Sequence, residues 1–505
     1  MSRLSRNIAY NLLGQTLALA LGLTTTRVIV TRLGADAWGI ISFSITMSAV
    51  VFAVLEMGIC STAVREVAAH TPSDPGYVRD LVRTASLAYW AACALLAGGV
   101  YAASPLLVER WINLTTMDAP TAVRLVRILG IAGLGVLPRS LYASLLRGVQ
   151  RMEFPNLIDV SLTALQQGGT IALLSAGASA LPIASWIAGC SALGVLAYAG
   201  VSARFFSVRA LIPGYAPRVV ARNIGFSAKV MSISLLSLVH TQTDKVTVSK
   251  LLPVGALGSY SVVYGLAARA SILPEAIAQA AFPSFSALLE ERDRGGLLRQ
   301  YWKLQDLVCL AAVPAFAAIV LYAERVLAFV FGAEAGRVLI LPAALLCAGF
   351  YMHGTLIVPY LVSLAAGKPE ISARANLWAV CVSVPATVAL IARFGLAGAG
   401  ASWVAYQAFL YAFAVPAICA QCLRIPAAAW YARTGRIAAA AGATYGAAWG
   451  VLHAIGAASV PAVTVAYACA TLAFAGQARW LMGSDLRETL TQFLHAGHLR
   501  ADEAA

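Results

Sequence analysis

Charged residues are scarce in this chain, and their scarcity argues against an ordinary soluble domain. Asp, Glu, Lys and Arg make up only 11% of the 505 residues, whereas 60% are hydrophobic. A typical soluble domain carries about 25% charged residues. The composition therefore predicts an integral membrane protein. Because backbone groups in lipid must find partners within their own segment, we expect an all-α protein.

Motifs for catalysis and nucleotide hydrolysis are also missing. The sequence has no G-x-x-x-x-G-K-[ST] phosphate loop, no H-E-x-x-H zinc motif and no G-x-S-x-G nucleophile motif. Cys419 and Cys422 have the C-x-x-C spacing, but neither a second pair nor a histidine cluster accompanies them. We therefore expect no cofactor, no bound metal and no enzymatic activity.

Apolar segments long enough for a hydrocarbon core of ~30 Å recur along the whole chain. They predict fourteen transmembrane helices, at about 7–31, 40–63, 84–104, 121–146, 156–177, 181–203, 223–250, 257–282, 305–329, 338–365, 375–393, 398–421, 437–456 and 460–480. An even number of helices places both termini on the same side of the membrane.

Lys and Arg are distributed unequally over the two predicted sides. The side of the termini carries 23 of them and the opposite side nine. The positive-inside rule then predicts that both termini are cytoplasmic. The net charge of +14 follows mostly from this topology, so no nucleic-acid partner is expected.

The two halves of the chain resemble each other. RVIVTRLGADAWGIIS at 27–42 aligns with KVTVSKLLPVGALGSYS at 245–261, which pairs Gly39 with Gly258. Further matches keep the offset between 216 and 220 residues. Parallel repeats of this kind commonly enclose a central cavity and work by alternating access. We predict two six-helix lobes, two additional helices and a cytoplasmic tail, at 1–212, 213–436, 437–482 and 483–505.

One apolar segment, 223–264, holds Lys229, His240, Asp244 and Lys245 at membrane depth. Charges there cost about 2.5–3.5 kcal/mol each on insertion scales, so they usually face a bundle interior or a wet cavity. Read as a helix, the segment places Lys229, His240 and Asp244 within one stripe about 120° wide. Two interpretations stay open: Asp244 pairs with a cation of another helix, or the stripe lines a transport path.

Four other ionisable residues within predicted spans are candidates for a functional role. Arg269 is close to the midplane, where snorkelling cannot easily rescue it, so it is the strongest candidate for substrate binding. A structural pair with Glu56 or Asp244 is its alternative. Arg139 follows a proline, whose kink frees a carbonyl that could hold the guanidinium. Glu56 is a candidate counter-ion or proton carrier, and Arg27 lies near the outer end of the first span.

This excess of buried cations over acids suits an anionic substrate. Arg pairs through its planar fork with two oxygens of a phosphate or pyrophosphate group at once. The predicted substrate-binding cations are Arg269, Lys245, Lys229, Arg139 and Arg27. The predicted coupling residues or counter-ions are Glu56, Asp244 and His240.

Several motifs follow one another in a familiar order, at 27–39, 58–66, 244–261, 282–286, 331–332 and 394–398. Together they resemble the polysaccharide-repeat-unit flippases of the MOP (multidrug/oligosaccharidyl-lipid/polysaccharide) superfamily. The segment that begins with Asp244 and Lys245 and ends with Leu257-Gly258-Ser259-Tyr260-Ser261 is the clearest match. The resemblance covers about residues 1–420.

This resemblance implies transfer of undecaprenyl-pyrophosphate-linked oligosaccharides to the outer leaflet of a bacterial cytoplasmic membrane. It also implies membrane lipids, a polysaccharide polymerase and chain-length proteins as partners. Related lipid II flippases use cavity arginines, of which Arg27 and Arg269 are the plausible counterparts here. They also bind an alkyl tail in a groove formed by two extra helices, which correspond to 437–480.

Two other functions stay open from the sequence. A multidrug or cation antiporter of the same superfamily would be expected to have an acidic cavity without surplus buried Arg and Lys. A membrane polysaccharide polymerase or ligase should present a large external loop with catalytic residues. The longest predicted external loop, about 105–120, is too short to form a domain.

Overall fold

The computed structural model describes residues 3–488 except 57, 72, 457 and 458, and it does not describe the side chains of 3–17, 229, 230, 232–234, 237 and 279–281. Over the described residues the chain is helical and contains no strand, which confirms the all-α prediction. The helices are α1 Arg3–Leu33, α2 Ala35–Leu55, α3 Ile59–His70, α4 Pro75–Arg110, α5 Ala119–Gly133, α6 Val136–Gly148, α7 Glu153–Ser175, α8 Ala180–Phe206, α9 Val208–Leu211, α10 Pro217–Leu251, α11 Val254–Ala270, α12 Ile272–Glu290, α13 Arg294–Phe331, α14 Ala333–Val338, α15 Ile340–Ala365, α16 Pro369–Ile418, α17 Ala427–Ala454 and α18 Val460–Leu481.

Ten helical segments in the described chain are long and apolar enough to cross a membrane. The predicted spans 7–31, 223–250 and 437–456, which became α1, α10 and α17, are not among them. One of the ten, Pro369–Leu423, covers two predicted spans and is divided at Gly395, whose φ is 57° and ψ is −133°. The protein is therefore a multi-pass membrane protein, and the total of fourteen spans stays a prediction.

Three predicted spans are interrupted in the structure. Span 40–63 breaks between α2 and α3, where Gly58 has a φ of 69°. A glycine reaches this left-handed conformation without the steric penalty of a Cβ atom. Span 121–146 breaks between α5 and α6, and span 257–282 breaks at Ser271, between α11 and α12. Non-helical backbone at membrane depth is tolerated where it is buried in protein or lines a cavity.

The chain forms two compact units, Met1–Ser261 and Val262–Ala505. Helix α10 belongs to the first unit because it packs against α2, α3 and α4. This division lies further along the chain than the predicted lobe boundary at 212/213. The predicted lobes, the two additional helices and the tail therefore stay predictions, and only 483–488 of the tail are described.

Each unit has its own apolar core. In the first unit, buried side chains of α3, α4, α6 and α8 pack together, with Val82, Leu141 and Leu145 fully buried. In the second, α17 and α18 pack against each other and against α13, around Cys309 and Val463. Helices α17 and α18 are therefore integral parts of the second unit.

Within the first unit, α2 crosses the beginning of α11 at very short range. A Cβ atom on Gly39 would overlap the carbonyl oxygen of Val254, and one on Gly258 would stand 2.5 Å from Cδ1 of Trp38. The indole Nε1 of Trp38 donates a hydrogen bond of 3.0 Å to the carbonyl oxygen of Gly258. Gly39 and Gly258, which the internal repeat pairs, therefore meet at one crossing, where only glycine permits this approach.

Alanine at either crossing position should destabilise the protein. Overpacking of a close contact typically costs about 1–3 kcal/mol, so Gly39→Ala and Gly258→Ala should both lower the melting temperature in detergent. Gly22→Ala is the matched control, because a Cβ atom there would meet no atom within 4 Å. Melting of Gly39→Ala at the wild-type temperature would contradict the close crossing.

Candidate functional site

Arg269 lies in the last turn of α11, three residues before α12 begins. Its side chain is exposed, and a Cβ atom on Gly265, one turn earlier, would stand 3.8 Å from its Nη1 atom. Among the described residues it forms no hydrogen bond or ion pair. The structure therefore has an exposed guanidinium at the interruption of a membrane helix.

Lys245 and Asp244 are buried together, at 8% and 2% exposure. The Lys245 ammonium donates to the carbonyl oxygen of Thr241 at 2.6 Å and lies 3.5 Å from a carboxylate oxygen of Asp244. The Tyr260 hydroxyl of α11 donates to the other carboxylate oxygen. The structure therefore couples Asp244 to its own neighbour and to α11, and a cavity role for Lys245 would require this pair to open.

The other two charged positions of this segment are less fully described. Lys229 lies on α10, and its side chain is outside the described residues. His240 is half-buried on the same helix. The predicted stripe of Lys229, His240 and Asp244 therefore stays a prediction.

Arg139 lies on α6 and pairs with an acid of α7. Its Nη2 atom donates to Oδ1 of Asp159 at 2.6 Å, and the Tyr198 hydroxyl of α8 donates to the same oxygen at 2.7 Å. Three helices meet at this carboxylate. The geometry favours a structural role for Arg139, held by Asp159 and not by the carbonyl of a proline kink.

Glu56 occupies the interruption between α2 and α3. It is 8% exposed, and its Oε2 accepts a hydrogen bond of 3.1 Å from the backbone N–H of Gly58. The Tyr89 hydroxyl donates to the Glu56 carbonyl at 3.1 Å. The carboxylate thus satisfies an N–H group at the beginning of α3. A role as proton carrier or counter-ion stays a prediction.

Arg27 lies on an exposed face of α1, next to the buried side chains of Thr25 and Thr26. The threonine hydroxyls donate to carbonyl oxygens one turn earlier in the helix, so they need no other partner. Among the predicted cations whose side chains are described, Arg27 and Arg269 are exposed. Both lie on helices that are predicted to cross the membrane.

The sequence analysis missed a buried acid at the beginning of α2. Asp36 is fully buried, and its Oδ2 accepts hydrogen bonds from the consecutive N–H groups of Thr115 and Thr116 at 2.7 Å and Met117 at 3.1 Å. Consecutive N–H groups of this kind form an anion-binding nest. Asp36 lies within the repeated motif, but the partner loop has no sequence signal.

The same loop reaches the turn between α10 and α11. We call residues 111–117 the strap. The Nδ2 atom of Asn113 donates to the Lys250 carbonyl at 2.8 Å, and the Asn113 carbonyl accepts from Val254 N–H at 2.9 Å. Trp111 Nε1 donates to the Ser249 hydroxyl at 3.0 Å. The strap therefore joins the beginning of α2 to the α10–α11 turn.

A second missed acid, Glu66, lies just beyond the predicted span 40–63. It forms a bridge with Arg65 at 2.6 Å, accepts from the Tyr77 hydroxyl at 2.9 Å and lies 3.6 Å from Arg222. Burial raises the pKa of Glu66, but the hydrogen bonds from Tyr77 and Arg65 and the charges of Arg65 and Arg222 lower it overall. Glu66 thus ties α3 to α4 and α10 as an anion.

The third missed acid, Asp306, anchors the C-terminal helices. It is fully buried on α13, and Arg433 of α17 donates to both its oxygens, at 2.7 and 2.6 Å. Gly483 N–H, after the end of α18, adds a bond of 2.9 Å. The two sides of this pair are 127 residues apart, so no local pattern predicts it.

Comparison with known proteins defines the class to which these features belong. The family model of polysaccharide biosynthesis proteins matches residues 4–289. That match spans more than half of the chain, which therefore belongs to this family. We expect its relatives to share the motifs quoted above, most of which lie within the matched range.

Particular relatives are concerned with surface polysaccharides. A Shigella flexneri protein assigned to O-antigen transport is 22% identical over 79% of this chain and 93% of its own length. The lipopolysaccharide biosynthesis protein WzxC of Escherichia coli K12 is 22% identical over 63% of this chain and 65% of its own length. These are distant likenesses over long alignments.

Solved structures share the fold. An inward-facing multidrug resistance MATE family transporter of the MOP superfamily is similar with a TM-score of 0.64 and 13% identity, over 80% of this chain and 94% of its own. The lipid II flippase MurJ in an inward closed conformation is similar with a TM-score of 0.61 and 12% identity, over 92% of this chain and 98% of its own. The chain therefore has the fold of MOP superfamily transporters.

Removal of the Asp306 charge should destabilise the second unit. Asp306→Asn leaves the Arg433 guanidinium without its carboxylate, and loss of one member of a buried pair costs about 3–5 kcal/mol. The melting temperature in detergent should fall clearly. Asp80→Asn removes an acid from an exposed pair of 3.7 Å with Arg79, and should change stability by less than about 1 kcal/mol. Equal melting of the two variants would contradict the anchoring role of Asp306.

Proposed function

We propose that the protein is a flippase that moves undecaprenyl-pyrophosphate-linked oligosaccharide repeat units from the cytoplasmic to the outer leaflet. The family match and the relatives assigned to O-antigen transport and lipopolysaccharide biosynthesis support this substrate class. The observation that carries the proposal in the structure is the exposed guanidinium of Arg269 at a helix interruption.

Discontinuous membrane helices commonly form the substrate sites of transporters, because their free ends present unpaired backbone groups. Arg269 adds a planar fork that matches two oxygens of a pyrophosphate. Arg27, in the first unit, stays a predicted substrate-binding cation. The oligosaccharide would follow the headgroup, while the prenyl chain stays in lipid.

Alternating access in this protein would require α2 and the beginning of α11 to separate in one of the two states. The contacts that must then open are the strap and the crossing of Gly39 with Gly258. Lys245 would become available to the substrate only when its pair with Asp244 opens. Lys229 and His240 stay candidates for contact with the substrate in the first unit, whereas Arg139 has a structural role in its pair with Asp159.

The driving force would not come from nucleotide hydrolysis. Outward movement of negative charge across an inside-negative membrane is favourable by about 2.3 kcal/mol per charge per 100 mV. Glu56 is the acid best placed to add ion coupling, since it is buried at an interruption. We assign no catalytic step and no cofactor to the protein.

We place the protein in the bacterial cytoplasmic membrane with both termini in the cytoplasm, because this orientation gives the larger number of Lys and Arg to the inner side. Its partners would be the lipid-linked oligosaccharide and the surrounding lipids. A polysaccharide polymerase and chain-length proteins would receive the product on the outer side.

Flipping of a lipid-linked oligosaccharide in liposomes tests the proposal directly. Arg269→Ala should slow flipping at least about tenfold, which corresponds to about 1.4 kcal/mol. The flipping rate of Arg269→Lys should lie between those of the wild type and Arg269→Ala, because lysine keeps the charge but lacks the planar fork. Arg393→Ala, at another exposed arginine, should flip at the wild-type rate. Equal rates for wild type and Arg269→Ala would remove Arg269 from the mechanism.

The same liposomes distinguish the flippase from a cation antiporter. The wild-type protein should flip the lipid-linked oligosaccharide and should not drive accumulation of a cationic dye. Dye accumulation without flipping would overturn the proposed function and favour the multidrug transporter.

A further inference from the structure

A groove lies between α13, α15 and α17 in the second unit. Its volume is about 630 Å³, and its walls are almost entirely apolar. Val313, Phe316 and Tyr351 line its depth, while Leu341 and Trp449 are exposed at its edge, at 57% and 48%. The groove is open at this edge, and where such an apolar groove meets the hydrocarbon of the membrane, a lipid chain would fill it.

The groove exists because α17 presents small residues to it. Gly442 and Gly446 line it one turn apart, and a Cβ atom on either would meet no atom within 4 Å. No side chain of the described chain therefore fills the space in front of these two glycines. Unfilled apolar space is costly because its lining lacks contacts on one side, and an inserted chain would supply them.

The length of the groove suits one leaflet of the membrane. Along α15 its lining runs from Ile340 to Tyr351, which is about 16 Å at 1.5 Å per residue. Half of a ~30 Å hydrocarbon core is about 15 Å. An acyl chain from the adjacent leaflet therefore fits this length, whereas an undecaprenyl chain is several times longer.

A cation stands at one end of the groove. Arg337 of α14 is part of the lining, its side chain is 76% exposed, and its Nε lies 3.7 Å from an oxygen of Glu324. That distance is too long for a strong hydrogen bond, so the guanidinium can also pair with a phosphate. Trp449 lies in the lining near the outer end of α17, where aromatic side chains favour the membrane interface.

We propose that this groove binds one membrane glycerophospholipid, with an acyl chain between α13, α15 and α17 and its phosphate against Arg337. The lipid would be a resident component of the second unit and not the transported substrate. The groove differs from the alkyl-tail groove that the family resemblance implies, because α18 contributes nothing to its described lining. The proposal does not depend on the proposed transport activity.

Native mass spectrometry of the purified protein tests the proposal, with phosphatidylglycerol and undecaprenyl phosphate added as separate probes. The wild type should retain one phosphatidylglycerol. Gly442→Leu combined with Gly446→Leu fills the groove and should reduce the singly bound population at least threefold. Gly435→Leu is the matched control on the same helix, since its Cβ atom would also meet open space and it does not line the groove.

A second variant tests the headgroup contact if the double substitution fails to fold. Arg337→Gln should reduce phosphatidylglycerol retention at least threefold, and Arg393→Gln, at an exposed arginine outside the groove, should not. Retention unchanged in both groove variants would overturn the proposal. Displacement of phosphatidylglycerol by an equal amount of undecaprenyl phosphate would also overturn it, because the groove would then select the prenyl chain.

Discussion

The fold depends on how buried acidic side chains are satisfied where lipid offers no hydrogen-bond donors. Asp36, Glu56, Asp244 and Asp306 are each at most 8% exposed, and each accepts hydrogen bonds within its own unit. An unpaired charge in such a place would cost several kcal/mol. Asp36, Asp244 and Asp306 are therefore fixed points to which other elements of the chain attach, whereas the Glu56 carboxylate binds the backbone of Gly58, two residues away.

Each fixed point holds a different pair of elements. Asp36 holds the strap, which continues to the α10–α11 turn, and Asp244 holds Tyr260 of α11. Asp306 holds α17 and the chain after α18. These attachments are polar and specific, so they can break and form again with the same partners. Apolar packing of similar size is less selective for its partners. A transporter that alternates between two states needs contacts of this kind.

The predicted cations divide into two groups according to whether an acidic side chain pairs with them. Arg139 and Lys245 each face a carboxylate, Asp159 and Asp244 respectively, and so contribute to the helix packing. Arg269 is exposed at a helix interruption and is bound to no described acid. This contrast distinguishes Arg269, as a candidate for substrate binding, from the structural charges. The number of buried cations alone does not make this distinction.

Hydropathy and motif order predict much of this protein, but not the pairing of its charges. The all-α class and the positions of the apolar helices follow from segment length and composition. The interruptions at Glu56 and Ser271 depend on local backbone geometry, and hydropathy averaged over a span conceals them. The pair of Asp306 with Arg433 depends on tertiary packing across 127 residues. The sequence shows that Lys245 follows Asp244, but not that the two side chains are buried together as a pair.

The central claim is that Arg269 receives the pyrophosphate of the substrate. The most direct measurement compares the affinity of wild type and Arg269→Ala for a prenyl-pyrophosphate sugar and for the same prenyl sugar with a single phosphate. The wild type should prefer the pyrophosphate, and the variant should lose most of that preference. An unchanged preference in Arg269→Ala would show that the pyrophosphate is bound elsewhere.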